Sequence, residues 1–561
     1  MGIYLNPNND RFRQALNSEI YVDKSGLISV TNKKISTEQK YICVSRPRRF
    51  GKSMNLGMLA AYYSRGCESS GLFDNLAIAE DGSYKKHLNQ YNVIYVNMQE
   101  FLSGSKSIQN MIENLTECIM HLNQYNVIYV NMQEFLSGSQ SIQNMIENLT
   151  ECIMIDFEDD FADIGFHVKL GLTYNMKRVY AKTGIPFVIL IDEWDCVMRE
   201  HMNDKDALKV YLDFLRSWLK DQDYVALAYM TGILPIKKYG THSALNMFDE
   251  FSMLDSFKMQ KYIGFTNDEV KLLCEKYRTD FAEMKAWYDG YFLNGEELYC
   301  PRSVVRAIDT GSFRGFWTET ERYEALAVYI AMNYDGLKDT IEKLLAGQEQ
   351  SVDTRTFSND MITFANKDDI LTLLIHLGYL GYHSERKTVF IPNREIADEF
   401  VTSMKATGLW KETIDTVLAS RQLLSDTLKG NSHKVAEAIE AAHRRNSSIL
   451  NYNNEQSLRF IILIAYYYAR ESYDIIQEMP GGDGFTDIVF IPKPFVDATA
   501  FPPMVVELKW NDSVESAIAQ IKEKHYPDAL TSYKEALLVG INYDKDSKKH
   551  ECVIEKYEIT Q

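Results

Sequence analysis

A basic loop between an apolar run and a helical pattern holds the first residues whose types and spacing suit catalysis. The loop "SRPRRFGKS" spans residues 45–53 and closes the apolar run 41–45. Gly51 allows the backbone to approach an anion closely, Lys52 is placed to reach the β- and γ-phosphates of a nucleotide, and Ser53 suits Mg²⁺. These residue types in this order predict a phosphate-binding loop.

The loop departs from the usual phosphate-binding pattern at its start. Arg46 stands where a first glycine is expected, and Pro47 removes one N–H donor. A basic turn with a chance "GKS" is therefore the alternative interpretation. Arg48 and Arg49 either contact phosphates, including those of a neighbouring subunit's nucleotide, or form a salt bridge to an acid such as Asp23.

Two later apolar runs end in polar residues that would complete a nucleotide site. The run in "PFVILIDEWD" ends at Asp192 and Glu193, which suit a magnesium ligand and a residue that orients water. A buried strand that stops at a solvated acidic turn is the alternative. In "YVALAYMTGIL", Thr231 ends the next run, where it either senses the γ-phosphate or is an ordinary strand-end residue.

A second group of reactive residue types lies near the C-terminus. Asp487 follows the turn in "GGDGFTDIVFIPK", and Glu507 and Lys509 flank one residue of "PPMVVELKW". Side chains at i and i+2 of a strand share a face, so Glu507 and Lys509 point the same way, and Asp487 joins them if the two strands are adjacent. Two carboxylates and a lysine suit a magnesium site for phosphodiester hydrolysis, with Lys509 positioning water or stabilising charge. The bare spacing D-x19-E-x-K is a weak signal.

The elements that position these residues follow from the apolar periodicity. Up to about residue 255, strand-like runs alternate with helical stretches, which predicts a parallel sheet with crossover helices. The strand-like runs of this part are 41–45, 93–96, 187–191 and 225–230.

The remainder is predicted to contain a mainly helical region and a second α/β region. Residues 368–400 indicate a helix, a hairpin and a helix, a winged-helix-like unit that either binds nucleic acid or only packs against its neighbours. Beyond about 420 a helical stretch precedes strands and a closing helix. These are predicted at 474–478, 486–491, 504–508 and 514–524. We therefore predict three domains, at 1–255, 256–420 and 421–561.

One segment is duplicated in tandem. Residues 87–120 recur at 121–154 with one change, Lys106 against Gln140. Repeat folds diverge between copies and need about three or more units to stack, so one near-perfect pair indicates a recent duplication or an assembly error. The fold needs one strand and helix from this pair, and the other copy is expected to be looped out or added at an edge.

Composition excludes several classes of protein. The 561 residues carry a formal charge of −18, which argues against a protein that coats nucleic acid non-specifically but leaves room for a local basic groove. The eight cysteines form no CxxC pair, which argues against a disulfide frame or structural zinc. No signal pattern starts the chain and no apolar run reaches 18 residues, so we expect a cytoplasmic protein without a membrane partner.

Several short motifs together resemble a known family. They are "IYVDKSGLI" (20–28), "SRPRRFGKS" (45–53), "LIDEWD" (190–195), "TGIL" (231–234), "WYDGY" (287–291), "CPRSVV" (300–305) and "IPNREI" (391–396). The chain resembles the bacterial and archaeal AAA-ATPase-like proteins that carry a C-terminal PD-(D/E)xK nuclease-like domain. The resemblance covers the chain except for one copy of the duplication. It implies a P-loop NTPase domain, a helical or winged-helix-like middle and a restriction-endonuclease-like α/β domain.

The resemblance also assigns site residues. "RPRRFGKS" is the usual family form of the loop, which implies that Arg46 belongs to a nucleotide site. The residues expected to contact ATP are Arg46, Arg48, Arg49, Phe50, Gly51, Lys52, Ser53, Met54, Asp192 and Thr231. Gln520 and Tyr526 match the family's Gln and Tyr signature, where Gln supports the nuclease site. Glu455 resembles an extra acidic metal ligand or is a helix-start acid favoured by the macrodipole.

These observations lead to one leading prediction and one rival. The leading prediction is an ATPase that uses ATP and Mg²⁺ and regulates a nuclease acting on DNA in preference to RNA. The rival is a nucleotide-switched protein that binds nucleic acid or protein through a non-cleaving nuclease-like domain. The family's "GRxD" turn is "GFTD" here, which weakens the expected substrate contacts more than metal binding. The sequence leaves assembly into a homo-oligomer open.

Overall fold

The structure is a computed structural model that describes most of the chain. It describes residues 5–96, 129–130, 171–200, 203–236, 245–317, 324–332, 334–359, 361–408, 410–446, 455–481 and 484–559, with scattered residues between 146 and 170. The described helices are α1 Asp10–Leu16, α2 Gly26–Asn32, α3 Lys52–Tyr63, α4 Ser70–Phe73, α5 Tyr84–His87, α6 Gly171–Thr183, α7 Cys196–Glu200, α8 Lys205–Leu219, α9 Asn267–Tyr277, α10 Phe281–Tyr288, α11 Pro301–Thr310, α12 Glu324–Ala331, α13 Leu337–Leu345, α14 Lys367–Leu377, α15 Arg394–Thr407, α16 Lys411–Leu428, α17 Ser432–Asn446, α18 Glu455–Ala465 and α19 Val514–Glu523.

The strands fall into separate sheets. The described strands are β1 Tyr41–Ser45, β2 Asn92–Val96, β3 Tyr129–Val130, β4 Phe187–Ile191, β5 Val225–Gly232, β6 Asp249–Phe251, β7 Phe265–Thr266, β8 Tyr291–Leu293, β9 Glu296–Tyr299, β10 Gln350–Ser351, β11 Gly381–His383, β12 Thr388–Phe390, β13 Tyr473–Gly481, β14 Gly484–Pro492, β15 Met504–Trp510, β16 Glu535–Asp544 and β17 Lys549–Glu558. The four strand-like runs predicted before residue 255 are confirmed as β1, β2, β4 and β5.

The described residues divide into two compact units. The first unit consists of residues 1–276, 289–310 and 352–387, and the second of 277–288, 311–351 and 388–561. The predicted middle segment 256–420 contributes to both units. Its predicted helix, two strands and helix occur in that order as α14, β11, β12 and α15, and the division between units falls between the two strands.

The first unit is built on a parallel sheet. The strand order is β3-β2-β4-β5-β1-β6, and each neighbouring pair is parallel. All residues of β1, β4 and β5 are buried, as expected when helices cover both faces of a parallel sheet. These apolar strands therefore form the centre of the first unit, and the predicted parallel sheet is confirmed.

The strand order determines which polar strand ends meet. β5 lies between β1 and β4, with Val44 opposite Thr231 and Ile191 opposite Met230. In a parallel sheet the carboxyl ends of all strands lie at one edge, where ligands usually bind. The phosphate loop, Thr231 and the residues after Ile191 consequently share that edge.

The duplicated segment contributes to this sheet through both copies. β2, from the first copy, pairs with β4, and Tyr129–Val130 of the second copy pairs with the other side of β2 at the edge of the sheet. The strand of the second copy is thus added at an edge. Residues 97–128 and 131–145, which hold most of the two copies, lie outside the described residues.

The second unit contains a five-stranded sheet. Its order is β13-β14-β15-β16-β17, antiparallel except between β15 and β16, where α19 makes the crossover that parallel neighbours need. Val489 and Val505 pack with Ile518 and Ile521 of α19 in one hydrophobic cluster. The predicted strands and closing helix of this region are confirmed, with slightly longer strands than predicted.

A buried carboxylate in the second unit supports a prediction on stability. Glu342 is fully buried, its Oε1 accepts a hydrogen bond from Thr413 Oγ1, and Lys338 Nζ lies 3.9 Å away. Burial raises the pKa of Glu342 to about 7. A raised carboxyl pKa stabilises the fold below its unfolded value and loses that contribution as the pH rises through the folded value. Between about pH 4.5 and pH 7.5, the free energy of unfolding of the wild type should therefore fall by up to about 3 kcal/mol relative to that of Glu342→Gln.

Urea unfolding of both proteins at several pH values measures this difference. The matched control is Glu437→Gln on α17, because Glu437 is 67% exposed and its ion pair is with the exposed His433. A stability difference between wild type and Glu342→Gln that does not change with pH would contradict the prediction.

Candidate functional sites

The phosphate loop ends in the start of a helix. α3 begins at Lys52, and Gly51 adopts a φ of 88°, a left-handed conformation that favours glycine. Asn55 N–H already donates to Gly51 O at 3.1 Å. The first N–H groups of a helix lack intrahelical acceptors, so those of Lys52, Ser53 and Met54 are available to an anion. The N-terminus of α3 therefore has the geometry of an anion site.

Lys52 is buried within the loop that precedes it. Its Nζ donates to Arg46 O at 3.0 Å and Pro47 O at 3.1 Å, and lies 3.9 Å from Glu193 Oε1. Burial lowers the pKa of Lys52, while the carboxylates of Glu193 and Asp192 oppose that shift. The loop thus surrounds the ammonium group of Lys52, whose hydrogen bonds are accepted by the carbonyls of Arg46 and Pro47.

Asp192 lies directly beyond the end of β4, beside the loop. Thr231 Oγ1 donates to Asp192 Oδ1 at 2.5 Å, and Ser53 also hydrogen-bonds this carboxylate. Asp192 Oδ2 is buried and has no hydrogen-bond partner among the described residues. Burial raises the pKa of Asp192 to about 6, and neighbouring Glu193 adds to the rise. The structure therefore brings Ser53, Asp192 and Thr231 together.

Glu193 is held by cations on two sides. Arg199 Nη2, from α7, lies 2.6 Å from Glu193 Oε2, opposite the contact with Lys52. Burial raises the pKa of Glu193, but Lys52, Arg199 and Arg48 outweigh it and hold the pKa below its ordinary value. Glu193 is consequently ionised. Sequence reasoning missed Arg199, which the short helix after "DEWD" places here.

Asp195 is a second residue that sequence reasoning left without a role. Its Oδ2 accepts the N–H groups of Ile233 at 3.1 Å and Leu234 at 2.8 Å, and lies 3.3 Å from Arg199 Nε. Asp195 therefore ties the end of β5 to the segment that carries Glu193. The sequence carried a signal for this contact, because Asp195 comes shortly after the strand β4, and Ile233 and Leu234 come directly after the strand β5.

Gly232 is required by this contact between strand ends. A Cβ atom at Gly232 would lie 2.7 Å from both Asp195 Oδ1 and Trp194 Nε1. Both neighbours are fully buried, so neither can move away cheaply. Gly232→Ala should therefore destabilise the first unit by about 1–3 kcal/mol.

Thermal unfolding of Gly232→Ala beside Gly71→Ala measures this effect. Gly71 lies in α4, and nothing stands within 4 Å of its hypothetical Cβ. The control should therefore unfold like the wild type. Equal stability of the two variants would show that the strand ends are less tightly packed than the distances indicate.

Two predicted cofactor residues fix the loop in place. Arg46 is fully buried, and its guanidinium donates to Ser45 O, to Phe251 O at 3.1 Å and to Ser256 Oγ at 2.6 Å. Phe50 is buried too, and its carbonyl accepts Gly264 N–H at 2.9 Å. These contacts anchor the loop to β6 and to the chain before β7. A nucleotide contact for Arg46 or Phe50 stays a prediction.

The other predicted loop contacts differ in exposure. Met54 is 52% exposed on the first turn of α3, beside the available N–H groups. Arg49 has a φ of 68°, and its carbonyl lies 3.7 Å from Cys300 Sγ. Arg48 contributes to the electrostatic field at Glu193. Their contacts with ATP remain predictions, and the structure places all three beside the site.

The carboxylates near the C-terminus also converge. β14 and β15 are antiparallel neighbours with Ile488 opposite Val506, which brings Asp487 beside Glu507. Asp487 Oδ2 accepts Leu508 N–H at 2.8 Å, and both carboxylates are buried. Burial raises the pKa of Glu507 to about 7, with Asp487 adding to the rise. The predicted adjacency of these two strands is confirmed.

Lys509 and Gln520 complete this cluster. Lys509 Nζ lies 3.4 Å from Glu507 Oε1 and donates to Gln520 Oε1 at 2.5 Å. Gln520 Nε2 donates to Glu507 Oε1 and lies 3.4 Å from the Tyr526 hydroxyl. Gln520 reaches the site because α19 crosses over β15. One cluster therefore contains the side chains of Asp487, Glu507, Lys509 and Gln520.

Arg459 is a cluster residue that the sequence did not indicate. On α18, its Nη2 lies 2.7 Å from Asp487 Oδ1 and its Nη1 lies 2.6 Å from Glu478 Oε1. The helix α18 begins at Glu455, one turn before Arg459. The side chain of Glu455 lies outside the described part of the structure, so its predicted role as a ligand stays a prediction.

Both clusters contain a buried carboxylate oxygen suited to a cation. Asp192 Oδ2 and Glu507 Oε2 are buried, and neither has a hydrogen-bond partner in the part of the chain that the structure describes. Each lies beside further oxygen donors, Ser53 in one case and Asp487 in the other, and oxygen ligands are those that Mg²⁺ takes. Among the described residues, no group of three or more His, Cys, Asp or Glu side chains is arranged to hold a metal ion. A magnesium ion at either cluster would therefore keep several water ligands.

No disulfide joins any two of the six described cysteines. None of the helices that the structure describes combines the length and hydrophobicity needed to cross a bilayer.

A segment that contains the first cluster matches a known family model. Residues 10–241 match the AAA-ATPase-like family, described as a predicted AAA-ATPase, and this segment is therefore AAA-ATPase-like. It includes the loop, Asp192, Glu193 and Thr231, and it ends before the second cluster. An uncharacterised protein in the vnfD 5′ region of Azotobacter chroococcum mcd 1 is 24% identical over 399 residues, 66% of this chain and 72% of that protein.

Two solved structures are also similar to this chain. A Walker-type ATPase of Pyrococcus abyssi has 12% identity and a TM-score of 0.33, covering 67% of this chain and 94% of its own. Cdc6p from Pyrobaculum aerophilum has 10% identity and a TM-score of 0.24, covering 72% of this chain and 99% of its own.

Proposed function

We propose that the chain binds and hydrolyses ATP with Mg²⁺ at the first cluster and cleaves nucleic acid, DNA in preference to RNA, at the second. The observation that supports the ATPase is the meeting of a helix N-terminus, Lys52, Asp192 and Glu193 at one edge of a parallel sheet in an AAA-ATPase-like segment. The nuclease proposal is supported by the convergence of Asp487, Glu507 and Lys509.

The proposed ATPase roles follow from the contacts of each residue. When ATP binds, Lys52 Nζ gives up its hydrogen bonds to the carbonyls of Arg46 and Pro47 and donates to the β- and γ-phosphates instead. The first N–H groups of α3 bind the same phosphates. Ser53 and Asp192 would hold Mg²⁺, which neutralises charge on the phosphates when bound. Glu193 orients the attacking water, and Thr231 senses the γ-phosphate through its contact with Asp192.

The proposed nuclease roles follow in the same way. Asp487 and Glu507 would hold Mg²⁺, which stabilises charge on the reacting phosphodiester when bound. Lys509 orients the water or donates to the developing charge, and Gln520 fixes Lys509 and Glu507 relative to each other. Holding these side chains in place before substrate binds lowers the cost of reaching the transition state.

We further propose that ATP controls cleavage. The chain passes between the two units at five points, so a nucleotide-dependent change in the first unit has several covalent routes to the second. The test is cleavage of single- and double-stranded DNA and RNA with Mg²⁺ or Mn²⁺, with and without ATP. Metal-dependent cleavage supports the nuclease, and a change on adding ATP supports the control. ATP hydrolysis without cleavage of any substrate would contradict the nuclease.

One contact favours a second candidate function. Arg459 forms an ion pair with Asp487 and so occupies a carboxylate that a metal would need. A guanidinium in this place suits a domain that binds phosphates without cutting them. On this alternative the chain is a nucleotide-switched protein whose C-terminal domain binds nucleic acid or protein. DNA binding that falls steeply with salt, without cleavage, is the expected result.

A further inference from the structure

The second unit contains a cavity apart from the carboxylate cluster. Its volume is about 220 Å³, and it lies between the end of α13, the start of α15, the 3₁₀ turn Tyr467–Glu471 and Lys493 at the end of β14. A second cavity of about 270 Å³ shares Gly347, Arg470 and Lys493 with the first. Together they offer space of the order found in small-molecule sites.

Three cations line the first cavity. They are Arg394, Arg470 and Lys493. Of its two acids, Glu471 is already paired with Arg394 at 2.9 Å and with Arg421 at 2.6 Å. The cavity therefore holds more positive charge than its own carboxylates balance.

Lys493 is only weakly compensated by carboxylates. Its side chain is only 15% exposed, and its Nζ lies 4.0 Å from the carboxylate of the exposed Asp474. Burial lowers the pKa of Lys493, and the positive charges of Arg394 and Arg470 act in the same direction, while Asp474 and Glu471 oppose the shift without cancelling it. The other acid of the cavity, Asp398, has its pKa raised by burial, so it compensates weakly. An anion bound here would relieve the repulsion among the cations.

Arg470 is fixed by the protein and shapes the wall. Its guanidinium donates to Leu463 O at 3.1 Å and to Ala346 O at 2.5 Å. Gly347 has a φ of 78°, and a Cβ there would lie 3.1 Å from Arg470 Nη2. The backbone is thus built around this buried arginine, which is therefore held rigidly beside Lys493.

We propose that these cavities bind a small organic phosphate, with the phosphate group at Arg394, Arg470 and Lys493. An apolar surface for the organic part of the ligand is supplied by Leu344, Ile391 and the rings of Tyr467 and Tyr468. The proposal does not depend on ATP hydrolysis or on cleavage of nucleic acid. Phosphate accepts several charge-assisted hydrogen bonds at once, which suits three converging cations.

Calorimetric titration of the full chain tests the site with phenyl phosphate and with inorganic phosphate as probes, at constant ionic strength. Because the first unit also offers an anion site, all titrations use the Lys52→Ala variant as background. Adding Lys493→Gln should weaken phenyl phosphate binding about tenfold or more, since one charge-assisted contact is lost. Adding Lys429→Gln, at an exposed lysine on the same unit, should leave the affinity unchanged.

The comparison of the two probes tests the apolar surface. Phenyl phosphate should bind more tightly than inorganic phosphate because the ring buries apolar area. Absence of binding by both probes, or equal binding with and without Lys493→Gln in a folded protein, overturns the proposal. Equal affinity for both probes overturns the assignment to organic phosphates and leaves a site for phosphate alone.

Discussion

Lys52→Ala should lower the affinity for ATP by about a hundredfold or more. Lys52 Nζ lies at the start of α3, and its described partners within hydrogen-bond or ion-pair distance are two loop carbonyls and Glu193. A phosphate would replace those carbonyls with charge-assisted hydrogen bonds, each about twice as strong as a neutral one. Alanine removes both the charge and the donors, which accounts for a loss of this size.

The fold should survive the substitution. Burial lowers the pKa of Lys52, so its charge is not favoured by the interior, and Glu193 keeps its partner Arg199. Fluorescent ATP titration and thermal unfolding of Lys52→Ala, beside Lys205→Ala at an exposed lysine of the first unit, separate binding from folding. Full ATP affinity in a folded Lys52→Ala protein would falsify the nucleotide site.

Glu507→Ala should reduce metal-dependent cleavage to background. Glu507 contributes the buried, unpartnered Oε2 and lies beside Asp487, so its loss removes one of two carboxylates from the proposed metal site. Burial raises the pKa of Glu507 to about 7, so the interior disfavours its charge. The substitution should therefore leave the second unit folded while abolishing the reaction.

The control for this variant is Glu555→Ala on β17. Glu555 lies on the same sheet as Glu507 and forms an exposed ion pair of 2.6 Å with Lys522 of α19. Removing the Glu555 carboxylate should leave cleavage unchanged. Mn²⁺ titration of each protein gives a readout independent of cleavage. If Glu507→Ala cuts nucleic acid as fast as the wild type, the cutting activity arises elsewhere, in another part of the chain or in a contaminant. If the wild type binds DNA and never cuts it, the nucleotide-switched binding protein is the better description.

Most of the sheet framework of each unit was predictable from the sequence alone. Short apolar runs such as 187–191 and 225–230 are typical of buried parallel strands, and polar residues at their ends mark the edge where ligands bind. The period of two residues along a strand also fixed Glu507 and Lys509 on one face. These inferences succeeded because they depend on local periodicity and residue type.

Only the tertiary structure decided which charges meet. Arg46 was predicted as a cofactor residue, yet its guanidinium binds Phe251 O, 205 residues away in the chain. Arg199 and Arg459 had no signal in the sequence, and they now hold Glu193 and Asp487. The need for glycine at position 232 likewise comes from the approach of Asp195. Side-chain pairing across a fold depends on strand order and helix placement, and long-range packing sets these where local periodicity does not.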